Sequence, residues 1–219
     1  MKKYLAIGII FLLAATVAFS FFSANKKISK NEPSSGPSPA AGGISTPSQE
    51  IPSLDIPLVK ARERITKKPF GIYVTPQNSP VQPEKFTGFH TGTDFEIFAG
   101  EENQDVPVFA ICDGKVIFKG QVNGYGGVII ESCAINNEAV TVLYGHLSLQ
   151  KSPAQINAPV KKGELIAILG EPFSRETSGE RKHLHLGIHK GGKTDFRGYV
   201  QNERELSQWL DFEKVFGLR

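Results

Sequence analysis

His183-Leu184-His185-Leu186-Gly187-Ile188-His189 alternates imidazoles with aliphatic side chains. In extended chain every second side chain points to the same face. His183 and His185 therefore project together, while Leu184 and Leu186 turn toward a core. Outward from this stretch, the chain breaks into short β-type runs separated by Gly, Pro, Asn and Asp: 70–74, 94–98, 106–111, 115–119, 127–131, 139–144, 164–169 and 183–189. Many short strands with tight turns predict a mainly β domain, an antiparallel, sandwich-like sheet structure.

Asp113-Gly114 between two runs supplies the residue types of a two-residue hairpin turn, and Gly191-Gly192 reads the same way after the last strand. One short C-terminal helix is expected where Asn202 can cap and Glu205 follows three residues on. Leu206, Trp209, Leu210 and Phe216 then recur at helical spacing, with Trp209 as the anchor in the core.

The N-terminal part has a different composition. Lys2 and Lys3 precede an uncharged run from Tyr4 to Ala24, with Lys26 and Lys27 behind it. About 20 apolar residues suffice to cross a bilayer, so residues 1–24 read as a membrane anchor or a signal peptide, with Ala18 and Ser20 suitably spaced for cleavage. Either reading places the rest of the chain outside the cytoplasm. Residues 25–57, dominated by Pro, Ser, Gly and Ala, read as a disordered tether, and residues 58–219 as the folded domain. The formal charge is +3, of which residues 1–55 carry +2 from five lysines against Glu32, Glu50 and Asp55. The domain itself has no basic footprint for nucleic acid. Cys112 and Cys133 suit a single disulfide in an oxidising compartment, with two buried thiols as the alternative, and neither has a partner at zinc-site spacing.

Four of the five histidines lie in three motifs: His90-Thr91-Gly92-Thr93-Asp94, Gly145-His146-Leu147 and His183-Leu184-His185. Thr91, Gly92 and Thr93 make a poor helix. As one strand, residues 90, 92 and 94 would share a face, so that imidazole and carboxylate converge beside a glycine that leaves room. Neutral imidazole and carboxylate are ligands that zinc accepts, and three protein ligands leave a position for water, as catalytic zinc requires. Five candidates thus surround one site, although spacing alone does not say which histidines touch metal. His189 reads as an exposed residue at a strand end. Tyr73, Tyr125 and Tyr144 read as packing, with a place in the cleft as the alternative.

These motifs jointly resemble the lysostaphin/LytM-type zinc metallopeptidases that cut bacterial peptidoglycan. The resemblance runs from about Gly88 to Ile188. Phe89-His-Thr-Gly-Thr-Asp-Phe95 is similar to the family's first metal motif, Leu143-Tyr-Gly-His-Leu147 to its middle histidine motif, and His183-Leu-His185 to its His-x-His. Pro107–Val116, Gly124–Val128 and Val160–Gly163 are similar to its strand and turn signatures.

The resemblance implies one Zn2+ per chain held by His90, Asp94 and His185, with His146 and His183 as catalytic imidazoles. It further implies an endopeptidase that hydrolyses peptide cross-links or stem peptides of peptidoglycan through a metal-activated water. No glutamate of the HExxH type is present, so proton transfer falls to an imidazole, whose ordinary pKa of about 6.5 suits the task. A non-catalytic relative that regulates other wall hydrolases is the alternative, although such relatives typically lack ligands and this chain lacks none. One departure stands out. The family usually approaches its His-x-His through a short Ser-Thr-Gly-Pro, whereas this chain has the longer, charged Glu171-Pro-Phe-Ser-Arg-Glu-Thr-Ser-Gly-Glu-Arg-Lys182.

Overall fold

The computed structural model describes residues 56–218. The expected anchor or signal, residues 1–24, and all but the last two residues of the expected tether lie outside the described residues. Among those described, no helix is long and apolar enough to cross a membrane.

Among the described residues thirteen strands form the framework of the fold: β1 (Tyr73–Val74), β2 (Gly88–His90), β3 (Gly92–Glu96), β4 (Pro107–Phe109), β5 (Gly114–Val122), β6 (Gly126–Ile135), β7 (Glu138–Gly145), β8 (Leu147–Ser148), β9 (Pro159–Val160), β10 (Leu165–Leu169), β11 (His183–Lys190), β12 (Tyr199–Val200) and β13 (Trp209–Leu210). The helices are single turns: α1 (Ala61–Arg64), α2 (Glu203–Leu206) and α3 (Phe212–Val215). The principal sheet runs β9-β5-β6-β7-β11, and the far edge of β11 is shared by β3 and β13. Two three-stranded sheets, β1-β2-β12 and β4-β10-β8, complete the domain. Every pairing is antiparallel, as the short runs and tight turns imply.

β6 and β7 show why these residues form strands. Each carries β-branched residues that suit a pleated surface (Val128, Ile129 and Ile130; Val140, Thr141 and Val142). Asn136 and Asn137, both at positive φ (51° and 66°), close the hairpin between Ile135 and Glu138. Two left-handed residues in a two-residue loop make a type I′ turn, whose twist matches that of the strands.

The two faces of the principal sheet differ. Leu184, Leu186 and Ile188 of β11 share one core with Tyr144, Ile129, Phe95 and Phe212, to which β4, β8 and β10 add Val108, Leu147 and Leu169. Full burial of a leucine stabilises by about 1.5–3 kcal/mol, which fixes the register of β11 and with it the direction of the odd-numbered residues. The opposite face presents His183 and His185. It also carries a smaller cluster of Tyr125, Val128, Ile130 and Leu143.

Three sequence expectations are corrected. Asp113-Gly114 does not close a hairpin: β4 pairs with β10, and Gly114 opens β5 against Cys133. This glycine is needed for space, since a Cβ would lie 2.6 Å from the Ser132 carbonyl oxygen. The single C-terminal helix is two separate turns. Trp209 and Leu210 between them pair with His189 and Ile188 as β13, and Asp211 then caps α3 by accepting from the Glu213 N–H. Pairing with an open strand edge wins over helical spacing there. Finally, His90 and Asp94 do not share one strand. The chain leaves the small sheet at Thr91, whose N–H donates to Gly198 O and whose hydroxyl donates to Arg197 O, before entering β3.

Cys112 and Cys133 form a disulfide that ties the loop before β5 to β6, with a Cα–Cα distance of 6.3 Å.

Candidate metal centre

Strand pairing assembles the site. On one edge of β11, His185 lies directly opposite Asp94 of β3; on the other it lies opposite Gly145 of β7, the residue before His146. His90 ends β2 and reaches the same point across the bend at Thr91. Its Nε2 is 3.0 Å from His185 Nδ1 and 3.3 Å from Asp94 Oδ1, and His185 Nδ1 is 3.1 Å from that same oxygen. Gly92 is required for close approach, because a Cβ there would fall 2.6 Å from the His185 ring.

The remaining ring nitrogens are engaged elsewhere. His90 Nδ1 lies 3.3 Å from Pro69 O, which makes it the protonated nitrogen and leaves Nε2 as a lone pair. His185 turns Nε2 toward the Tyr125 hydroxyl at 3.4 Å, so that Nδ1 is the nitrogen facing Asp94 and His90. His90 Nε2, Asp94 Oδ1 and His185 Nδ1 thus face one another as three potential ligand atoms. Ligands about 2.0–2.1 Å from a tetrahedral zinc stand about 3.3 Å apart, close to the three separations seen here. The donor set fits a divalent cation, and oriented second nitrogens are the usual support of ligating histidines.

Electrostatics agree. Burial alone would raise the Asp94 carboxyl, yet the imidazoles of His183 and His90, with hydrogen bonds from His183 and His185, hold it well below the usual carboxylate range. Burial pushes His185 down to about 4, against the opposing pull of Asp94, so the ring is neutral near pH 7. Burial and the neighbouring His183 and His185 likewise hold His146 well below an ordinary histidine.

His146 and His183 stand side by side, ring centroids 4.3 Å apart. His146 Nδ1 lies 3.2 Å from Thr177 O and His183 Nδ1 lies 2.9 Å from Arg181 O, which turns both Nε2 atoms away from the loop. His146 has positive φ (64°), a strained conformation for a residue with a Cβ, and its N–H donates to Tyr125 O. All five predicted residues are buried and line one cleft of about 350 Å³.

Other parts of the cleft were not legible beforehand. Lys68 and Glu84 form a buried ion pair on its wall, and Lys68 also donates to the Tyr199 hydroxyl at 2.9 Å. Nothing in the spacing of those residues marks them, since they are far apart in sequence. Arg181, from the long charged loop, reaches Asp94 itself. Of the three tyrosines, Tyr125 lines the cleft, Tyr144 is core, and Tyr73 is an exposed residue packed edge-on against Phe89. His189 is half-buried rather than exposed, packed against Trp209 with Nε2 3.9 Å from Asp195.

Residues 88–195 match the model of Peptidase family M23, a span that covers all five histidines and Asp94. This is a Peptidase family M23 domain. Similar solved structures include LytU (29% identity, 69% of this chain and 90% of that chain, TM-score 0.44) and cbpA from L. salivarius REN (18% identity, 69% and 88%, TM-score 0.43). The SpoIIQ-SpoIIIAH pore-forming complex is also similar (19% identity, 75% and 96%, TM-score 0.43). No curated protein matches the chain. Membership makes the M23 domain a member of a peptidase family, and the His90, Asp94 and His185 cluster is the part of it that could hold a metal.

Proposed function

We propose that this protein is a zinc-dependent endopeptidase that cleaves peptide cross-links or stem peptides of bacterial peptidoglycan. The observation that carries the reading is the convergence of His90 Nε2, Asp94 Oδ1 and His185 Nδ1 within 3.0–3.3 Å in a cleft that also holds two further imidazoles. Zinc, when bound, lowers the pKa of water toward ~7 and polarises a carbonyl, and three protein ligands leave room for that chemistry.

The chain supplies the rest. His146, neutral near pH 7 and with Nδ1 committed to Thr177 O, offers Nε2 as a proton acceptor. His183, whose Nε2 is 3.3 Å from Asp94 Oδ2 and whose Nδ1 is committed to Arg181 O, becomes a hydrogen-bond donor to the charge developing on a scissile carbonyl once its ring takes up a second proton. Tyr125 orients His185 through its hydroxyl. The N-terminal apolar segment, as an anchor or as a cleaved signal, brings the domain outside the cytoplasm, where its substrate lies.

Mass analysis of fragments from defined peptidoglycan, run with zinc quantification, tests the proposal. About one zinc per chain and released peptides, both lost on chelation, is the expected result. A zinc-loaded protein that leaves every peptide bond intact would move the chain to the alternative role, a regulator of other wall hydrolases.

A further inference from the structure

Asp94 divides its two oxygens between different neighbours. Oδ1 faces His185 Nδ1 at 3.1 Å and His90 Nε2 at 3.3 Å. Oδ2 accepts from Arg181 Nη2 at 3.0 Å and lies 3.3 Å from His183 Nε2. Arg181 is itself held fast. Its Nε donates to both oxygens of Glu96 at 3.1 and 3.0 Å, and only 15% of its side chain is exposed.

The strand register makes this bridge possible. Asp94 and Glu96 lie two apart on β3, opposite His185 and His183 of β11, so both carboxylates emerge on the site face and one guanidinium spans them. The carbonyl of Arg181 also accepts from His183 Nδ1 at 2.9 Å. One residue thereby contacts an expected ligand with its side chain and an expected catalytic imidazole with its backbone. It sits in the charged approach to the His-x-His that distinguishes this chain from the short Ser-Thr-Gly-Pro of the family.

We propose that Arg181 is a positioning residue for the metal centre: by engaging Asp94 Oδ2 it leaves Oδ1 alone for the cation. This inference rests on the zinc reading above. A carboxylate with both oxygens free can swing to offer both, which would fill a position that hydrolysis needs open. Arginine suits the task because its planar fork binds two carboxylates in fixed geometry, whereas a lysine ammonium is a single point charge. Electrostatics alone predicts the opposite outcome, since removing a cation near the site should tighten the binding of a second one. The sign of the affinity change therefore separates positioning from charge.

The experiment compares the full chain with Arg181→Met, Arg181→Lys and Glu96→Gln, measuring zinc affinity by chelator competition, the visible spectrum of the Co2+-loaded protein, and the melting temperature of the metal-free protein. Loss of such a supporting partner typically weakens metal binding ~10–100-fold, the effect expected for Arg181→Met. Arg181→Lys should fall between it and the unsubstituted chain, with a smaller loss of the same sign for Glu96→Gln. The Co2+ bands should weaken in Arg181→Met as the coordination number rises, an effect that a general loss of stability would not produce. Unchanged or tighter zinc binding with an unaltered Co2+ spectrum in Arg181→Met and Arg181→Lys would overturn the inference while leaving the peptidase reading intact. If Arg181→Met does not fold, Arg181→Lys decides by the same criterion. An unsubstituted chain that binds no zinc overturns both.

Discussion

Asp94 and Glu131 are both buried carboxylates on strands of the principal sheet, 2% and 1% exposed, yet their protonation is driven in opposite directions. Burial penalises charge in each. Around Asp94, however, stand His90, His183, His185 and Arg181, and the carboxyl is held far down. Glu131 has the Tyr144 hydroxyl on one oxygen at 2.6 Å, while the other has no hydrogen-bond partner, and the group is pushed up to about 7 by burial, with the charge of Asp113 adding to it. The difference shows that depth does not set the charge of a buried acid. The charges and hydrogen-bond donors that surround it do.

The strongest way to break this contrast is to remove the anion from the site. Asp94→Asn should take zinc from about one per chain toward none and bring hydrolysis of peptidoglycan to background, checked by metal analysis and fragment release. It also leaves Arg181 facing a neutral amide, so the metal-free protein should melt lower.

A second test turns a well-supplied acid into a poorly supplied one. Glu84 is held below the usual range because, although burial raises it, hydrogen bonds from Lys68 and Ser79 and from the backbone of Phe86 lower it more. Lys68→Met would strand that buried charge, and a loss of about 3–5 kcal/mol is expected in urea unfolding at pH 7. Equal stability of the variant would show that the pair is not the anchor of this cleft wall.

The third sharpens the Glu131 side. Its folded pKa of about 7 exceeds the reference 4.5, so its contribution is fully present below pH 4.5 and is lost as pH rises through 7. The loss amounts to up to about 3 kcal/mol at 1.36 kcal/mol per unit. Glu131→Gln should remove that pH dependence from the unfolding free energy between pH 4.5 and 8, and a variant that keeps the same slope would show that another group is responsible.

The smallest effect is expected from Tyr144→Phe. It deletes the hydroxyl that donates to Glu131 and accepts from the Ile111 N–H at 2.9 Å, leaving both buried groups short of a partner. A cost of about 1–2 kcal/mol follows, measurable as a fall in melting temperature.

Much of the site could be read without coordinates because its parts lie in motifs with local periodicity. His183 and His185 share a face by strand geometry, and Gly92 provides room beside them. Lys68, Glu84 and Arg181 could not be read, since their partners lie 16, 16 and 87 residues away. The charged loop before His183 was the only hint of Arg181. Trp209 and Leu210 misled, because their spacing also suits a strand and an open edge of β11 was available to them.

Alternation of polar and apolar residues, the residue types of the three histidine motifs and the change of composition along the chain are properties of the sequence. They determine a mainly β domain and a set of five candidate groups, since side-chain direction in a strand follows from backbone geometry alone. Which nitrogen of each ring faces the centre was decided by tertiary contacts with Pro69, Thr177, Arg181 and Tyr125. The division of Asp94 between metal side and guanidinium was decided in the same way. A hydrogen bond needs its two atoms within about 3 Å, and no spacing in a linear chain specifies that distance between residues many tens of positions apart.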